Sequence, residues 1–159
     1  MADIYINYGI NLKEMTYELM DIAKIADKLN PSMKVGIKPN LVVSRPAKEG
    51  ATTHPEIVEG IICYLKDWGI NNITILEGAW VGDSTQAAFR NCGYTALAEK
   101  YGVKLLDTKR DKVVKVQAKD ILFSVCDSAL NVDYLINVPV LKGHCQTGIT
   151  CCMKNLKGC

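Results

Sequence analysis

The sequence lacks the features that mark several classes of protein. No apolar run approaches the roughly 20 residues that a membrane-spanning helix needs. The first residues, Met1 to Asp3, lead into a strand-like segment and not into a basic and then apolar leader. The charges, which sum to +2, are mixed along the chain without a basic stripe or an acidic tail. These absences argue against a membrane or nucleic-acid partner and favour a cytoplasmic protein.

Signatures of nucleotide binding and of hydrolysis are absent as well. There is no G-x-G-x-x-G after a strand, no G-x-x-x-x-G-K-[ST] and no G-x-S-x-G. The seven cysteines are an odd number, and Cys63, Cys92 and Cys126 are scattered through apolar or helical stretches. A dinucleotide site, a P-loop, a nucleophile elbow and a disulfide framework therefore have no support.

What is present is an alternation of strand and helix patterns over 159 residues, the length of one domain. Apolar patterning predicts strands at residues 4–6, 35–37, 73–76, 103–106 and 134–138, and a hairpin from 113–116 and 121–123. It predicts helices at residues 12–29, 55–68, 85–92 and 94–101, and a helix or a helical turn at 147–156.

Strands that alternate with helices about every 30 residues imply right-handed crossovers and a parallel sheet. The sequence therefore predicts a single α/β domain over residues 1–159. Its three layers are a mainly parallel sheet and helices on both faces, in a Rossmann-like arrangement with a small hairpin excursion.

Polar side chains follow three of these strands. Lys38 and Asn40 come after the second strand, Glu77 after the third, and Lys142 and His144 after the last. Ligands of parallel sheets bind beyond the carboxyl ends of the strands, where loops and helix N-termini converge. We therefore expect these side chains to share one site.

Both histidines lie in dense polar motifs. His54 follows Thr53 at the start of a predicted helix, where free amides can bind an anion, although the threonine can also serve as an ordinary cap. His144 lies in a segment whose hydroxyls and lysines suit a phosphate, a carboxylate or a metal-bound substrate. Imidazole is suited to metal ligation and to proton transfer near neutral pH. We expect both imidazoles to face one cleft.

Three hypotheses for the site follow. In the first, the domain is part of an enzyme that depends on a divalent metal or acts on a small anionic molecule. His54, His144 and Glu77 are then catalytic, and the substrate is bound by Lys38, Asn40, Thr53, Lys142, Thr147, Lys154 and Asn155. In the second, Cys145, Cys151, Cys152 and Cys159 hold a metal or an iron–sulfur cluster without turnover, although their spacing matches neither a zinc nor a ferredoxin pattern. In the third, the domain binds a small anion without metal.

The order of these motifs resembles a known family. The motifs are Lys38-Pro39-Asn40, Thr52-Thr53-His54-Pro55, Glu77-Gly78, Phe89-Arg90, Gly93-Tyr94, Leu141-Lys142-Gly143-His144, Thr147-Gly148-Ile149-Thr150 and Lys154-Asn155-Leu156. From about residue 35 onward they are similar to the domain-of-unknown-function 362 family. The resemblance implies that the chain is related to longer proteins. These are often described as iron–sulfur-centre proteins, and some of them carry ferredoxin motifs beyond this domain. The architecture of that family is also distantly similar to that of nickel-dependent lactate racemase, whose active site uses histidines and lysines between two domains.

The resemblance also implies that this chain is the N-terminal part of a longer family member. A partner domain is then missing after Gly158-Cys159. We therefore expect Ile149, Met153 and Leu156 to be partly exposed or to mediate self-association.

Overall fold

A computed structural model of the chain describes residues 3–159. Its strands are β1 (Val35–Pro39), β2 (Ile73–Glu77), β3 (Lys104–Asp107), β4 (Val113–Ala118), β5 (Ile121–Cys126), β6 (Tyr134–Val138), β7 (Lys142–His144) and β8 (Gly148–Thr150). Its α-helices are α1 (Leu12–Ile22), α2 (Pro55–Asp67), α3 (Thr85–Asn91), α4 (Tyr94–Tyr101), α5 (Asp127–Leu130) and α6 (Cys152–Asn155). Short 3₁₀ turns lie at Ile25–Lys28, Ala47–Glu49, Thr108–Arg110 and Leu156–Gly158.

The main sheet has the strand order β3-β2-β1-β6, and all its neighbouring pairs are parallel. Pro39 is in register with Val138, and Glu77 with Asp107, so the four carboxyl ends meet at one edge. The mixed α/β fold and the parallel arrangement of the strands after which Lys38, Glu77 and Lys142 come are therefore confirmed.

One face of this sheet packs against the long helices. Side chains alternate between the faces of a strand, so Val35 and Ile37 of β1 share a face with Ile73 and Ile75 of β2. These residues join a buried core with Val58, Ile61, Ile62 and Leu65 of α2, Phe89 of α3 and Tyr94 of α4. Burial of one such aliphatic side chain contributes roughly 1.5–3 kcal/mol, so the packing of this face against the helices stabilises the fold.

The opposite face is covered by shorter elements. At Gly36 a Cβ atom would lie only 3.0–3.1 Å from the side chains of Leu76, Leu135 and Val132, so the absence of a side chain allows this close packing. Leu135 of β6 shares a cavity wall with Ala129 of α5 and with Leu156 after α6. The second helical layer therefore consists of one-turn helices.

Three of the predicted elements differ in the structure. Residues 4–6 form no strand, because Ile4 and Ile6 are exposed and no described strand pairs with them. The helix predicted over 12–29 ends at Ile22, because Lys24 takes a left-handed conformation with φ of 50°.

The antiparallel hairpin of β4 and β5 is confirmed. In the described part of the chain, no helix combines the length and the apolar character needed to cross a membrane.

The third difference concerns residues 147–156, for which a helix or a helical turn is predicted. The chain instead forms an antiparallel hairpin of β7 and β8, followed by the single turn of α6. Gly148, with φ of 71°, adopts the left-handed conformation at the start of β8 that a helix could not contain. The hairpin places Lys142 directly opposite Thr150.

Candidate functional site

A buried ion pair organises the carboxyl edge of the sheet. Lys38 at the end of β1 and Glu77 at the end of β2 are 1% and 3% exposed, and their Nζ and Oε1 atoms lie 2.7 Å apart. The Glu77 carboxylate also accepts hydrogen bonds from the backbone N–H groups of Leu41 and Gly78, each at 2.7 Å. The charge of Glu77 is thus matched by three donors, and the residue holds two strand ends in place.

Two more of the predicted ligand-binding residues, Thr53 and Asn155, connect elements at this edge. The Thr53 hydroxyl accepts from the Asn40 N–H at 2.9 Å and donates to the Val138 carbonyl at 2.8 Å. The Asn155 amide donates to Asn137 Oδ1 at 2.8 Å and to the Lys38 carbonyl at 3.1 Å. These bonds use the polar groups of Thr53 and Asn155, so both residues position the surrounding elements.

A cavity of about 810 Å³ opens directly above this edge. Its wall includes Lys38, Lys109, Lys142, Lys154 and Lys157, and Glu77 is the one carboxylate among its residues. Since Glu77 pairs with Lys38, four lysines remain, and no carboxylate within residues 3–159 forms a salt bridge with any of them. The cavity therefore carries a positive charge that the described part of the protein does not neutralise.

The Lys142 ammonium group lies in surroundings that disfavour its charge. Burial lowers the pKa of Lys142, the nearby charge of Lys154 lowers it further, and Glu77 partly opposes the shift. The ammonium group donates a hydrogen bond to the Ala51 carbonyl. An oxyanion bound between Lys142 and Lys154 would relieve their repulsion and compensate the desolvation.

Thr150 presents a buried hydroxyl without a partner. The residue is 1% exposed, it lines the same cavity, and its Oγ1 is the buried side-chain oxygen within residues 3–159 that lacks a hydrogen bond. Such an unsatisfied group costs roughly 1–3 kcal/mol. Residues directly opposite in an antiparallel pair share a face, so this hydroxyl lies beside the stem of Lys142.

His144 lies two residues after Lys142 in β7 and therefore on the same hairpin face, in the cavity wall. Its Nδ1 atom accepts hydrogen bonds from the N–H groups of Gln146 at 3.1 Å and Thr147 at 3.3 Å. An imidazole nitrogen that accepts carries no proton, so the proton of the neutral ring is on Nε2. His144 can thus donate a hydrogen bond through Nε2 to a bound molecule.

His54 lies outside the wall of this cavity. It is the N-cap residue of α2, its side chain is 42% exposed, and its Nδ1 atom lies 3.7 Å from Glu56 Oε2 in the same helix. The expectation that both imidazoles face one cleft is therefore wrong. The backbone N–H of Thr53 donates a hydrogen bond to the Asn40 carbonyl, and the carbonyl of His54 accepts one from the Ile57 N–H in the first turn of α2.

The four C-terminal cysteines do not form a common ligand set. The Sγ atoms of Cys151 and Cys152 lie 3.8 Å apart, Cys145 is exposed in the turn between β7 and β8, and Cys159 is half-buried. Burial raises the pKa of Cys159, which disfavours its thiolate. Across residues 3–159, no three His, Cys, Asp or Glu side chains converge as metal ligands. The donor set therefore does not fit the metal or cluster expected for these cysteines.

The remaining predicted residues line the cavity. Thr147 and Lys154 belong to its wall together with Asn40, whose side-chain oxygen accepts from Val42 N–H at 3.4 Å. Sequence reasoning missed Lys109, Lys157 and Thr150. Lys109 follows β3 and could have been found by the rule that pointed to Lys38, whereas Thr150 required the hairpin register.

Known proteins resemble this chain in sequence. A sequence model of the family described as "Domain of unknown function (DUF362)" matches residues 35–159. The thylakoid-associated protein sll1697 of Synechocystis sp. (strain ATCC 27184 / PCC 6803 / Kazusa) is 26% identical over 157 residues. That alignment covers 95% of this chain and 46% of the relative, so the chain spans about half the length of that protein. No solved structure matches the chain.

Proposed function

The chain belongs to the family described as "Domain of unknown function (DUF362)", and we propose that it is an enzyme domain whose cavity binds a small molecule with a carboxylate or phosphate group. The observation that carries this proposal is the unpartnered Thr150 hydroxyl in the wall that also holds Lys142 and Lys154. A buried donor and two mutually repelling cations are each costly alone, and one bound oxyanion satisfies all three.

The residues would act together on this ligand. Lys142 and Lys154 supply the charge, and Thr150 supplies a directional hydrogen-bond donor to one oxygen of the ligand. His144 presents its Nε2–H to the ligand as a further hydrogen-bond donor. The Lys38–Glu77 pair fixes the strand ends from which these groups are positioned.

Cellular location is part of the proposal. We expect the cytoplasmic location that the sequence favours, whereas the name of the Synechocystis relative associates that protein with thylakoids. Fractionation of cells that express a tagged form of the chain separates a membrane-associated pool from a cytoplasmic one.

Calorimetric titration with acetate, inorganic phosphate and methyl phosphate tests anion binding. Substitution Lys154→Met should weaken the binding of whichever anion binds by at least about tenfold, because charge-assisted hydrogen bonds contribute roughly 1.5–3 kcal/mol. The matched control is Lys104→Met, which removes an exposed lysine at the amino end of β3 and should leave the affinity unchanged. Failure of all three anions to bind, or equal losses in the two variants, would contradict the proposal.

A further inference from the structure

A second cavity of about 680 Å³ adjoins the cationic one. Its wall is mainly apolar and comprises Phe123 and Val125 of β5, Ala129 of α5, Leu135 of β6, and Met153 and Leu156. Met153 is 91% exposed and Phe123 is 46% exposed, so large apolar side chains face an open groove. Exposed apolar surface of this kind marks binding sites in water-soluble domains.

The two cavities share part of their walls. Lys154 and Lys157 line both of them, so α6 and the following 3₁₀ turn separate a cationic chamber from an apolar groove. A ligand that extends past these two lysines would place an anionic group on one side and an apolar group on the other.

From this arrangement we infer that the ligand is an anionic amphiphile: a carboxylate or phosphate head group with an alkyl or acyl chain. The inference rests on the proposed function, because the head group occupies the cationic cavity. The chain then covers Met153, Leu156 and Leu135. Charge complementarity selects this occupant over a protein segment, since lysine is depleted in the cores of protein interfaces and two lysines border this groove. The groove volume also lies within the roughly 300–1,000 Å³ of small-molecule sites.

Chain length provides the test. The purified protein is titrated with methyl phosphate, with octyl phosphate below its critical micelle concentration, and with the uncharged octyl glucoside. Each buried methylene group should tighten binding by about fourfold, so octyl phosphate should bind at least about tenfold more tightly than methyl phosphate even when only part of its chain is covered. Octyl glucoside should bind at least about tenfold more weakly than octyl phosphate, because it lacks the charged head.

Two exposed apolar residues, Met153 and Leu122, supply the variants. Met153→Ser should remove most of the gain from the octyl chain and leave methyl phosphate binding unchanged, since Met153 lines only the apolar groove. Leu122→Ser is the matched control, because Leu122 neighbours Phe123 in β5, points to the other face and lines neither cavity.

The outcomes separate the two proposals. If methyl phosphate binds and octyl phosphate binds no more tightly, the amphiphile is refuted and the anion site stands. If neither phosphate ester binds, and neither acetate nor octanoate binds, both proposals fail. Equal affinities for octyl phosphate and octyl glucoside would show that the charged head group is not recognised, and dimerisation that buries Met153 would show that a second copy of the chain occupies the groove. Either result would overturn the amphiphile.

Discussion

The lysines at the carboxyl edge of the sheet fall into two groups that differ in their counter-charges. Lys38 is buried against Glu77 at 2.7 Å, and the pair is neutral as a unit. Lys142 and Lys154 lie in the same cavity wall without a carboxylate partner in the described part of the chain. The first group shapes the site, and the second group is available to a ligand.

The buried pair leads to a stability prediction. Lys38→Met should destabilise the fold by about 3–5 kcal/mol, because it leaves the Glu77 carboxylate buried without its cation. Lys38→Met/Glu77→Gln should be more stable than Lys38→Met, because the second change removes the uncompensated charge. Urea denaturation of the three proteins measures both differences.

An exposed pair serves as the control. Arg45→Ala removes one partner of the Arg45–Glu49 pair, whose side chains are 70% and 45% exposed, and should change stability by less than about 1 kcal/mol. If Lys38→Met and Arg45→Ala had similar effects, or if the double variant were the least stable protein, the organising role of the buried pair would be wrong.

The lowered pKa of Lys142 leads to a prediction on pH. Burial and Lys154 disfavour the charged form in the folded state, so the ligand-free fold is destabilised below the lowered pKa and recovers as the pH rises toward 10.5, the ordinary value. Oxyanion binding needs the charged form. The affinity for methyl phosphate should therefore fall as the pH rises through the same window, whereas the ester itself, with a second pKa of about 6, keeps its charge there.

Calorimetric titrations at several pH values above 7 measure this decline, and Lys142→Met provides the comparison. The variant should bind more weakly at pH 7 and show a smaller further loss toward alkaline pH. An affinity that declines equally steeply in both proteins would assign the titration to another group.

Sequence reasoning found some of these side chains and not others. Lys142, His144 and Lys154 could be predicted because they lie in a dense polar segment after a strand. The separation of His54 from the cavity could not, because it depends on the direction in which the ring leaves the helix start. The roles of Thr53 and Asn155 depend on bonds to residues far away in the chain.

At the scale of elements, the β7–β8 hairpin decides the shape of the site. Apolar spacing over residues 147–156 predicts a helix or a helical turn, whereas the structure contains a strand from Gly148 to Thr150. A local pattern could not reveal this because the partner strand and the left-handed glycine together determine the outcome. The hairpin register is what brings the Thr150 hydroxyl beside Lys142.

Another element-scale feature is a carboxylate that links three helices. Glu59 of α2 accepts hydrogen bonds from Lys100 at 2.8 Å and Tyr101 at 2.6 Å in α4, and from Lys13 of α1 at 3.2 Å. These bonds, with Lys100 first, lower the pKa of Glu59 to about 2 from 4.5. The resulting stabilisation is complete above pH 4.5 and is lost as the pH falls through 2.

Glu59→Gln should therefore cost about 1–3 kcal/mol at pH 7, since the carboxylate is 17% exposed and its bonds are charge-assisted. The difference between wild type and variant should shrink as the pH falls from 4.5 toward 2. Urea denaturation across this range measures it. Glu49→Gln, at the exposed pair with Arg45, is the control, and a pH-independent gap between wild type and Glu59→Gln would contradict the assignment.

At the scale of the whole molecule, strand–helix alternation was sufficient to predict the parallel sheet and the sheet edge at which the lysine-lined cavity lies. Each buried strand carries its own apolar signal, so the order of elements fixes the class of fold. The covering of the second sheet face could not be predicted, because one-turn helices carry too few residues for a periodic signal. Ile149, Met153 and Leu156 are exposed as expected, and self-association through them stays a prediction.

Thr150→Val provides the most direct test of the anion site. Thermal unfolding is measured for the wild type and this variant, with and without the anion that binds most tightly. Without anion the variant should be more stable, by about 1–3 kcal/mol, because an unsatisfied buried hydroxyl has been removed. With anion it should show a smaller increase in Tm than the wild type, because a donor to the ligand has been lost. A variant that is less stable without anion and gains as much Tm as the wild type with it would contradict the central claim.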